Sequence, residues 1–254
     1  MSVHIAWERR GEGFPLVLVH GLGYGRWGWE PVADQLAERY QVVLLDNRGV
    51  GESDAPPGPY TVAEMAEDTL RVMDEAGIER AHLVGTSLGG MIAQELALTA
   101  SERVEKLVLV STTPGGPNAA PMPDVTVRLF AAATSLEPQV ALRRFVENAL
   151  GPGVANGLVE RILEHRVRTA QPFAAWSAQA TAGMAFDAWE RLPRLQAPTL
   201  VLHGTADNVV DPRNAELLAA RIPGARVELF PGCGHLPPWE RPDRFVEVVE
   251  EFLA

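Results

Sequence analysis

The chain has 254 residues, of which 46% are hydrophobic, so it can form one large α/β domain or two smaller ones with a substantial core. Its 33 acidic and 22 basic side chains give a formal net charge of −11, which argues against nucleic acid as a partner because the protein would repel a polyanion. The single cysteine, Cys233, excludes an internal disulfide and a zinc site built from several thiolates.

The first residues, MSVHIAWERR, lack the basic stretch and following apolar run of a secretion signal. No apolar stretch approaches the ~20 residues that a membrane-spanning helix needs. We therefore expect a cytoplasmic protein without a membrane partner. The sequence makes no prediction about its oligomeric state.

Short apolar runs alternate with helical patterns from the start of the chain. Residues 3–8 alternate and predict an exposed edge strand, whereas near-continuous apolar runs predict buried parallel strands at 16–20, 41–46, 81–86, 106–111, 199–203 and 226–230. Apolar residues at helical spacing predict helices at 29–40, 61–77 and 88–100. Thr61 is the expected N-cap of the second helix and Gly77 its expected stop. This alternation predicts a doubly wound, mostly parallel α/β sheet.

The alternation stops at residues 114–123, PGGPNAAPMP, where proline and glycine preclude regular structure. The stretch that follows, about 124–190, is entirely helix-like. A helical block between two halves of a parallel sheet indicates a lid over the sheet. We predict a core formed by residues 1–117 and 191–254, with a helical cap inserted at 118–190.

The segment HLVGTSLGG at 82–90 places Ser87 between Gly85 and Gly89, where a predicted strand gives way to a helix. The hydroxyl could simply cap that helix. Alternatively, the G-x-S-x-G spacing is typical of a nucleophile on a strained turn, where side chains at the two glycine positions would collide with the backbone. The motif alone does not decide, so a base and an orienting acid must be found elsewhere.

The base is predicted from its place in the sheet. His235 lies in PGCGHLPPWERP, directly after the last predicted strand. Groups at the carboxyl ends of parallel strands meet in one crevice, so His235 is expected to face Ser87. The remaining histidines are interpreted as surface or structural residues, namely His4, His20, His82, His165 and His203.

Two aspartates follow the strand TLVLH and could orient the histidine. Asp211 precedes Pro212 and a helix, so it is expected to be the N-cap with proline at the first helical position. Asp207 has no such role and lies four residues past the strand end. We therefore predict that the Asp207 carboxylate accepts the Nδ1 hydrogen of His235.

The order Ser87, Asp207, His235 is that of the α/β-hydrolase arrangement. Together with HGLG (20–23), DNRGVGESD (46–54), GTSLGG (85–90) and the pair HGTAD and GCGH, it makes the whole chain resemble the α/β-hydrolase superfamily. The chain is most similar to the branch of small esterases, 3-oxoadipate enol-lactonases and cofactor-free haloperoxidases.

This resemblance implies a fold and a set of roles. Ser87, His235 and Asp207 would form a catalytic triad that needs no metal or organic cofactor. The N–H of Leu88, at the start of the helix after Ser87, would form an oxyanion hole with the N–H of Leu22. His20 would support that loop, and the segment 46–54 would be a structural turn.

The predicted reaction is hydrolysis of a small carboxylic ester or lactone through an acyl-enzyme. Aromatic residues of the cap that could line the substrate pocket, or simply pack, are Phe130, Phe173, Trp176 and Phe186. A dicarboxylate substrate would need a basic group facing that pocket. The sequence does not say which of the cap arginines faces inward: Arg128, Arg143, Arg144, Arg161, Arg166 or Arg168.

Several alternatives remain open. Perhydrolysis and the hydrolysis of carbon–carbon bonds use the same triad, and a non-catalytic module could bind a ligand in the same pocket. The spacing of Gly23, Gly25 and Gly28, followed by Asp46, also matches a dinucleotide-binding fingerprint of a nicotinamide-dependent dehydrogenase. Against this, the glycines begin late after the strand, and Trp27 would crowd the turn that holds a pyrophosphate.

Overall fold

The protein is described by a computed structural model that covers residues 3–133 and 135–254. Within those residues, seven strands form one sheet, and they are in chain order β1 Trp7–Arg10, β2 Phe14–Val19, β3 Tyr40–Leu45, β4 Ala81–Thr86, β5 Val104–Val110, β6 Thr199–Gly204 and β7 Arg226–Phe230. Their spatial order is β1-β3-β2-β4-β5-β6-β7, and only the β1–β3 pair is antiparallel. The predicted mostly parallel sheet is confirmed.

The edge strand begins later than predicted. We expected it over residues 3–8, but β1 covers Trp7–Arg10. The backbone N–H groups of His4 and Ala6 instead donate to the side chains of Asp54 and Ser53. Residues 3–6 therefore run beside the loop that follows β3, because side chains of that loop take the hydrogen bonds a strand would use.

Helices cover both faces of the sheet and also form a separate group. In chain order the helices are α1 Glu30–Ala37, α2 Val62–Glu75, α3 Leu88–Thr99, α4 Asp124–Ala133, α5 Pro138–Ala149, α6 Asn156–Arg168, α7 Phe173–Ala185, α8 Arg213–Arg221, α9 Pro237–Glu240 and α10 Pro242–Leu253. None of them, over the residues described, is long and apolar enough to cross a bilayer.

The two faces of the sheet bury different side chains of the same strands. Val17 and Val19 of β2 pack with residues of α2, α3 and α8, whereas Leu16 and Leu18 pack with residues of α1 and α10. This alternation follows from the two-residue period of a strand, and it makes both faces apolar, as expected for a parallel sheet.

The start of α2 agrees with its prediction. Thr61 Oγ1 accepts the N–H of Glu64 at 3.1 Å, and the Glu64 carboxylate accepts the N–H of Thr61 at 2.8 Å, which forms a capping box. Gly77 follows the helix with φ +70°, a conformation that glycine adopts without strain.

Helices α4–α7, which we call the cap, lie between β5 and β6 after the irregular proline-rich stretch. The cap has an apolar cluster of its own, which includes Val146 and Ile162 and extends to Leu236 and Trp239 beside β7. The boundary of the cap as a unit at 118–190 stays a proposal.

Candidate active site

Ser87 lies on a sharp turn between the end of β4 and the start of α3. Its backbone has φ +54° and ψ −119°, a conformation that is strained for a residue with a side chain. A Cβ on Gly85 would lie 2.3 Å from the carbonyl oxygen of Gly89, and one on Gly89 would lie 2.1 Å from that of Val19. Glycine is therefore required on both sides of the serine. Within the described residues the Ser87 hydroxyl makes no capping bond to α3, so the capping interpretation lacks support.

Asp207 and His235 come together from the loops that follow β6 and β7. His235 Nδ1 lies 2.7 Å from Asp207 Oδ2, and the two side chains are 9% and 0% exposed. The backbone N–H of His235 donates to the carbonyl of Ala149 at the end of α5, at 2.7 Å. Because Nδ1 is bound to the carboxylate, Nε2 is the nitrogen left for Ser87. Ser87 and His235 line the same cavity.

The Asp207 carboxylate is buried but held in its charged form by several donors. Oδ1 accepts the N–H groups of Val209 at 2.7 Å and Val210 at 3.0 Å. Burial raises the pKa of Asp207, but the charge of His235 and the hydrogen bonds from His203 and His235 outweigh it and hold the pKa well below its usual range. An ionised carboxylate can stabilise a positive charge on His235.

His203 is a partner of this site that the sequence analysis treated only as structural. Its Nε2 lies 3.1 Å from both Asp207 Oδ2 and the carbonyl oxygen of Val210. Both partners are acceptors, so Nε2 carries the hydrogen. The four-residue spacing from His203 at the end of β6 to Asp207 was the available signal, because the turn between them brings the two side chains together.

Asp211, the other candidate acid, is partly buried and binds the first residue of α8. Its Oδ1 accepts the N–H of Arg213 at 2.9 Å, and its Oδ2 lies 2.7 Å from the Arg213 guanidinium. Helix α8 begins at Arg213, one residue later than predicted, so Pro212 precedes the helix instead of opening it.

Two backbone N–H groups that were predicted as oxyanion donors lie beside Ser87. Leu88 opens α3, and Leu22 belongs to the loop after β2, where a Cβ on Gly21 would lie 2.8 Å from Ser87 Cβ. Among the described residues neither the Leu22 nor the Leu88 N–H has an acceptor. Free backbone N–H groups on the two segments that adjoin Ser87 are compatible with the predicted oxyanion hole, which stays a prediction.

Glu240 of α9 is a second residue that the sequence analysis missed. Its carboxylate is buried and accepts the N–H groups of Gly234 at 3.0 Å and Gly151 at 2.8 Å. Gly234 directly precedes His235, and Gly151 follows the cap helix α5. Glu240 therefore joins the His235 loop to the cap. The one sequence feature that could have pointed to Glu240 is its position, five residues after His235 in a proline-rich segment.

The cavity has a volume of about 360 Å³ and lies between the core and the cap. Ser87, His235 and Leu22 lie on its core side, and three of the predicted aromatic residues line it on the cap side: Phe130, Phe173 and Trp176. Phe186 lies elsewhere, since it is buried in the apolar core with residues of α2 and α3. Its position at the end of α7 turns it toward the sheet.

Of the six cap arginines, Arg166 lines this cavity. Arg143 pairs with Glu160 at 2.9 Å, and Arg161 lies 3.6 Å from Glu30, so both are engaged with carboxylates outside the cavity. The inward-facing cation that the sequence could not identify is therefore on α6.

The three glycines that match the dinucleotide-binding fingerprint, Gly23, Gly25 and Gly28, each pack against a side chain of this protein. A Cβ on Gly23 would lie 2.4 Å from Arg166 Nη1, one on Gly25 2.5 Å from Asp46 Oδ1, and one on Gly28 2.4 Å from His20 Cδ2. Asp46 accepts the N–H groups of Arg26 at 2.7 Å and Glu52 at 3.1 Å. These contacts occupy the space that a pyrophosphate would need, and they support a structural role for Asp46.

Comparisons with known proteins cover almost the whole chain. The sequence model of the family described as alpha/beta hydrolase fold matches residues 15–242. The 2-hydroxy-6-oxononadienedioate/2-hydroxy-6-oxononatrienedioate hydrolase of Cupriavidus pinatubonensis is 33% identical over 255 residues, which are 94% of this chain and 86% of that protein. The pimeloyl-(acyl-carrier protein) methyl ester esterase of Aeromonas hydrophila is 31% identical over 261 residues, which cover 100% of both chains.

A solved structure shows the same architecture. The enol-lactonase from Burkholderia xenovorans LB400 matches with a TM-score of 0.86 and 28% identity, over 99% of this chain and 96% of that one. The fold of this chain is thus similar to that of an enol-lactonase, and its sequence is similar to those of a methyl ester esterase and a 2-hydroxy-6-oxononadienedioate hydrolase.

Proposed function

Since the chain belongs to the α/β-hydrolase family, we propose that it is a serine hydrolase of small carboxylic esters or lactones. The observation that carries the proposal is the 2.7 Å contact between His235 and a buried Asp207, beside the cavity that Ser87 also lines. A serine, a histidine and an acid in this relation activate a hydroxyl that is otherwise a weak nucleophile.

The first half of the reaction forms an acyl-enzyme. Ser87 Oγ attacks the carbonyl carbon of the ester while His235 Nε2 takes the hydroxyl proton, and the N–H groups of Leu22 and Leu88 bind the resulting oxyanion. The tetrahedral intermediate then collapses. The bond to the alcohol oxygen breaks, His235 returns its proton to that oxygen, and the acyl group remains on Ser87.

The second half releases the acid. His235 takes a proton from water, whose oxygen attacks the acyl carbon, and the same two N–H groups bind the second oxyanion. The bond to Ser87 Oγ breaks, and the proton on His235 restores the hydroxyl. With a lactone, alcohol and acid stay joined and leave as one hydroxy acid. The cycle uses no metal or organic cofactor.

The cavity supports a small and largely apolar substrate. Its volume of about 360 Å³ is at the lower end of the range for small-molecule sites. Phe130, Phe173 and Trp176 would contact the acyl or alcohol group, and we propose them as pocket residues. The similarity to a methyl ester esterase and to an enol-lactonase favours these two substrate classes.

Hydrolysis of a carbon–carbon bond is a second candidate function. The observation that favours it is the 33% identity to the 2-hydroxy-6-oxononadienedioate hydrolase, whose name specifies a dienoic keto acid as substrate. The same triad would serve, with a carbon as the leaving atom in place of oxygen.

A substrate panel with two serine variants tests the proposal. The panel contains p-nitrophenyl esters of graded chain length, aliphatic lactones, an enol-lactone and a dienoic keto acid. We expect hydrolysis of at least one ester or lactone, with kcat reduced about a million-fold in Ser87→Ala because the nucleophile is removed.

Ser111→Ala is the matched control. Ser111 directly follows the neighbouring strand β5, is fully buried and also has a positive φ of 46°, but it does not belong to the cavity wall. We expect it to keep wild-type rates. Wild-type rates in Ser87→Ala would refute the mechanism, and turnover of the dienoic keto acid alone would favour the second candidate.

A further inference from the structure

Arg166 reaches from the cap to the loop that carries the predicted oxyanion donor. Its Nη1 donates to the carbonyl oxygen of Gly23 and lies 3.5 Å from that of Leu22. The guanidinium lies over the ring of Tyr24, 5.1 Å from the ring centroid. Gly23 has φ +72°, and any side chain there would occupy the position of the guanidinium. The guanidinium of Arg166 therefore occupies the space beside the loop that the absence of a side chain at Gly23 leaves open.

Gln179 of α7 holds the same loop from the other side. It is fully buried; its Oε1 accepts the N–H of Gly23 at 3.3 Å, and its Nε2 donates to the carbonyl of Arg48 at 2.7 Å. The two polar groups of Gly23 are therefore bound by cap side chains: its carbonyl by Arg166 of α6 and its N–H by Gln179 of α7.

The neighbouring peptide contains the predicted oxyanion donor. The carbonyl of Gly21 accepts the N–H of Tyr24 at 3.2 Å. In a trans peptide the N–H points away from the carbonyl, so this bond turns the Leu22 N–H to the opposite side. Rotation of the Leu22–Gly23 peptide would change ψ of Leu22 and φ of Gly23 and so move Tyr24, whose N–H holds the Gly21 carbonyl; the direction of the Leu22 N–H would then change with the Gly21–Leu22 peptide.

From these contacts we propose that Arg166 and Gln179 are positioning residues, through which the cap sets the direction of the Leu22 N–H in the oxyanion hole. The inference rests on the proposed function, because it assigns a cause to the geometry of that site. In this proposal the cap orients a group of the active site in addition to covering the substrate.

The charge of Arg166 fits this role. Among the residues described, no carboxylate forms a salt bridge with it, and its acceptors are backbone carbonyls. Arg166 is partly buried. A charged group there without a counter-ion costs free energy that a neutral donor to the same carbonyls would not cost. A guanidinium beside the loop that carries Leu22 also adds positive potential where the negative charge of the oxyanion would develop.

The test compares Arg166→Met and Arg166→Lys on a neutral p-nitrophenyl ester and on the half-ester of a dicarboxylic acid. We expect Arg166→Met to lower kcat about 10- to 100-fold on both esters with little change in KM, since complete loss of one oxyanion donor costs about 100- to 1000-fold. Lysine retains a charged donor for the Gly23 carbonyl, so Arg166→Lys should recover part of kcat.

Binding of a trifluoromethyl ketone supplies a readout that a structural role would not change. The ketone forms a hemiketal oxyanion with the serine, and we expect its inhibition constant to rise in Arg166→Met by the same factor as kcat/KM falls. Arg168→Met is the control, because Arg168 is an exposed arginine on the same helix. It should keep wild-type kcat.

The outcomes separate the two proposals. If Arg166→Met keeps wild-type kcat on the neutral ester, the positioning role is refuted; a rise of KM on the half-ester alone would assign Arg166 to a substrate anion instead. If the wild-type chain hydrolyses esters but Ser87→Ala hydrolyses them equally well, the proposed function fails and this inference with it.

Discussion

At the scale of the residue, the buried histidines of this chain differ by their partners. His235 and His203 both meet the Asp207 carboxylate, whereas His20 packs between the rings of Tyr24 and Trp29, with centroids 4.6 and 5.1 Å away. Burial, with smaller effects of His235 and Arg166, lowers the pKa of His20 to about 3. His20 therefore stays neutral in the wall of the cavity.

The position of His235 in the chain was sufficient to predict its contact with Asp207, because the ends of parallel strands share one edge. The contact of His203 with the same carboxylate was not predictable in this way. It depends on the exact path of the turn from β6 to Asp207, which no periodicity describes. Contacts between individual side chains, such as that of His203 with Asp207, are therefore the first feature that the sequence does not predict.

His82 gives a pH-dependent prediction away from the site. Burial, then the charge of Lys106, lowers its pKa from 6.5 to about 4, with a further lowering by Arg80 and an opposing effect of Glu105. Between these pH values the unfolded chain binds a proton that the folded chain does not, so stability falls as pH falls.

We expect His82→Phe to remove this loss, since a phenyl ring fits beside Phe14 and Tyr40. Urea unfolding at pH 7 and pH 5 should show that the wild type loses about 1 kcal/mol more than the variant. Equal losses in both proteins would contradict the assignment of a lowered pKa to His82.

At the scale of the element, the strands and helices of the core were predicted to within a few residues, because burial on both faces leaves a clear apolar pattern. The exceptions are α9, for which no helix was predicted, and β1, whose start is set by hydrogen bonds to Ser53 and Asp54, far away in the chain. The helices of the cap were predicted as a block, but their orientation was not. That is why Phe186 was grouped with the pocket residues.

Two glycines near the starts of helices allow a test of how closely β2 and α3 pack. Gly89 and Gly157 are each the second residue of a helix, α3 and α6. A Cβ on Gly89 would lie 2.1 Å from the carbonyl oxygen of Val19, whereas one on Gly157 would meet no heavy atom of the described residues within 4 Å.

We expect Gly89→Ala to lower the free energy of unfolding by about 2 kcal/mol or more, because β2 and α3 must separate. Gly157→Ala should raise it by about 0.5 to 1 kcal/mol, since alanine restricts the unfolded chain. Urea unfolding of both variants measures the two effects. A loss of similar size in both would show that the close approach at Gly89 is not the cause.

At the scale of the whole molecule, the site is assembled from distant parts of the chain. Ser87 comes from the middle of the sheet, Asp207 and His235 from its second half, and the loop that carries Leu22 from its first half, where Arg166 and Gln179 of the cap contact Gly23. The bond from Arg166 to Gly23 spans 143 residues of sequence. The order of Ser87, Asp207 and His235 along the chain was readable from the sequence, whereas contacts such as that of Arg166 with Gly23 require the folded chain.

The central claim is that His235 activates Ser87. Intact mass spectrometry after treatment with a fluorophosphonate tests it most directly, because the reagent reacts with activated serine hydroxyls. We predict one adduct per wild-type chain, located by peptide mapping at Ser87, and no adduct at the same exposure in His235→Ala. An adduct elsewhere, or equally fast labelling of Ser87 without the imidazole, would contradict the account.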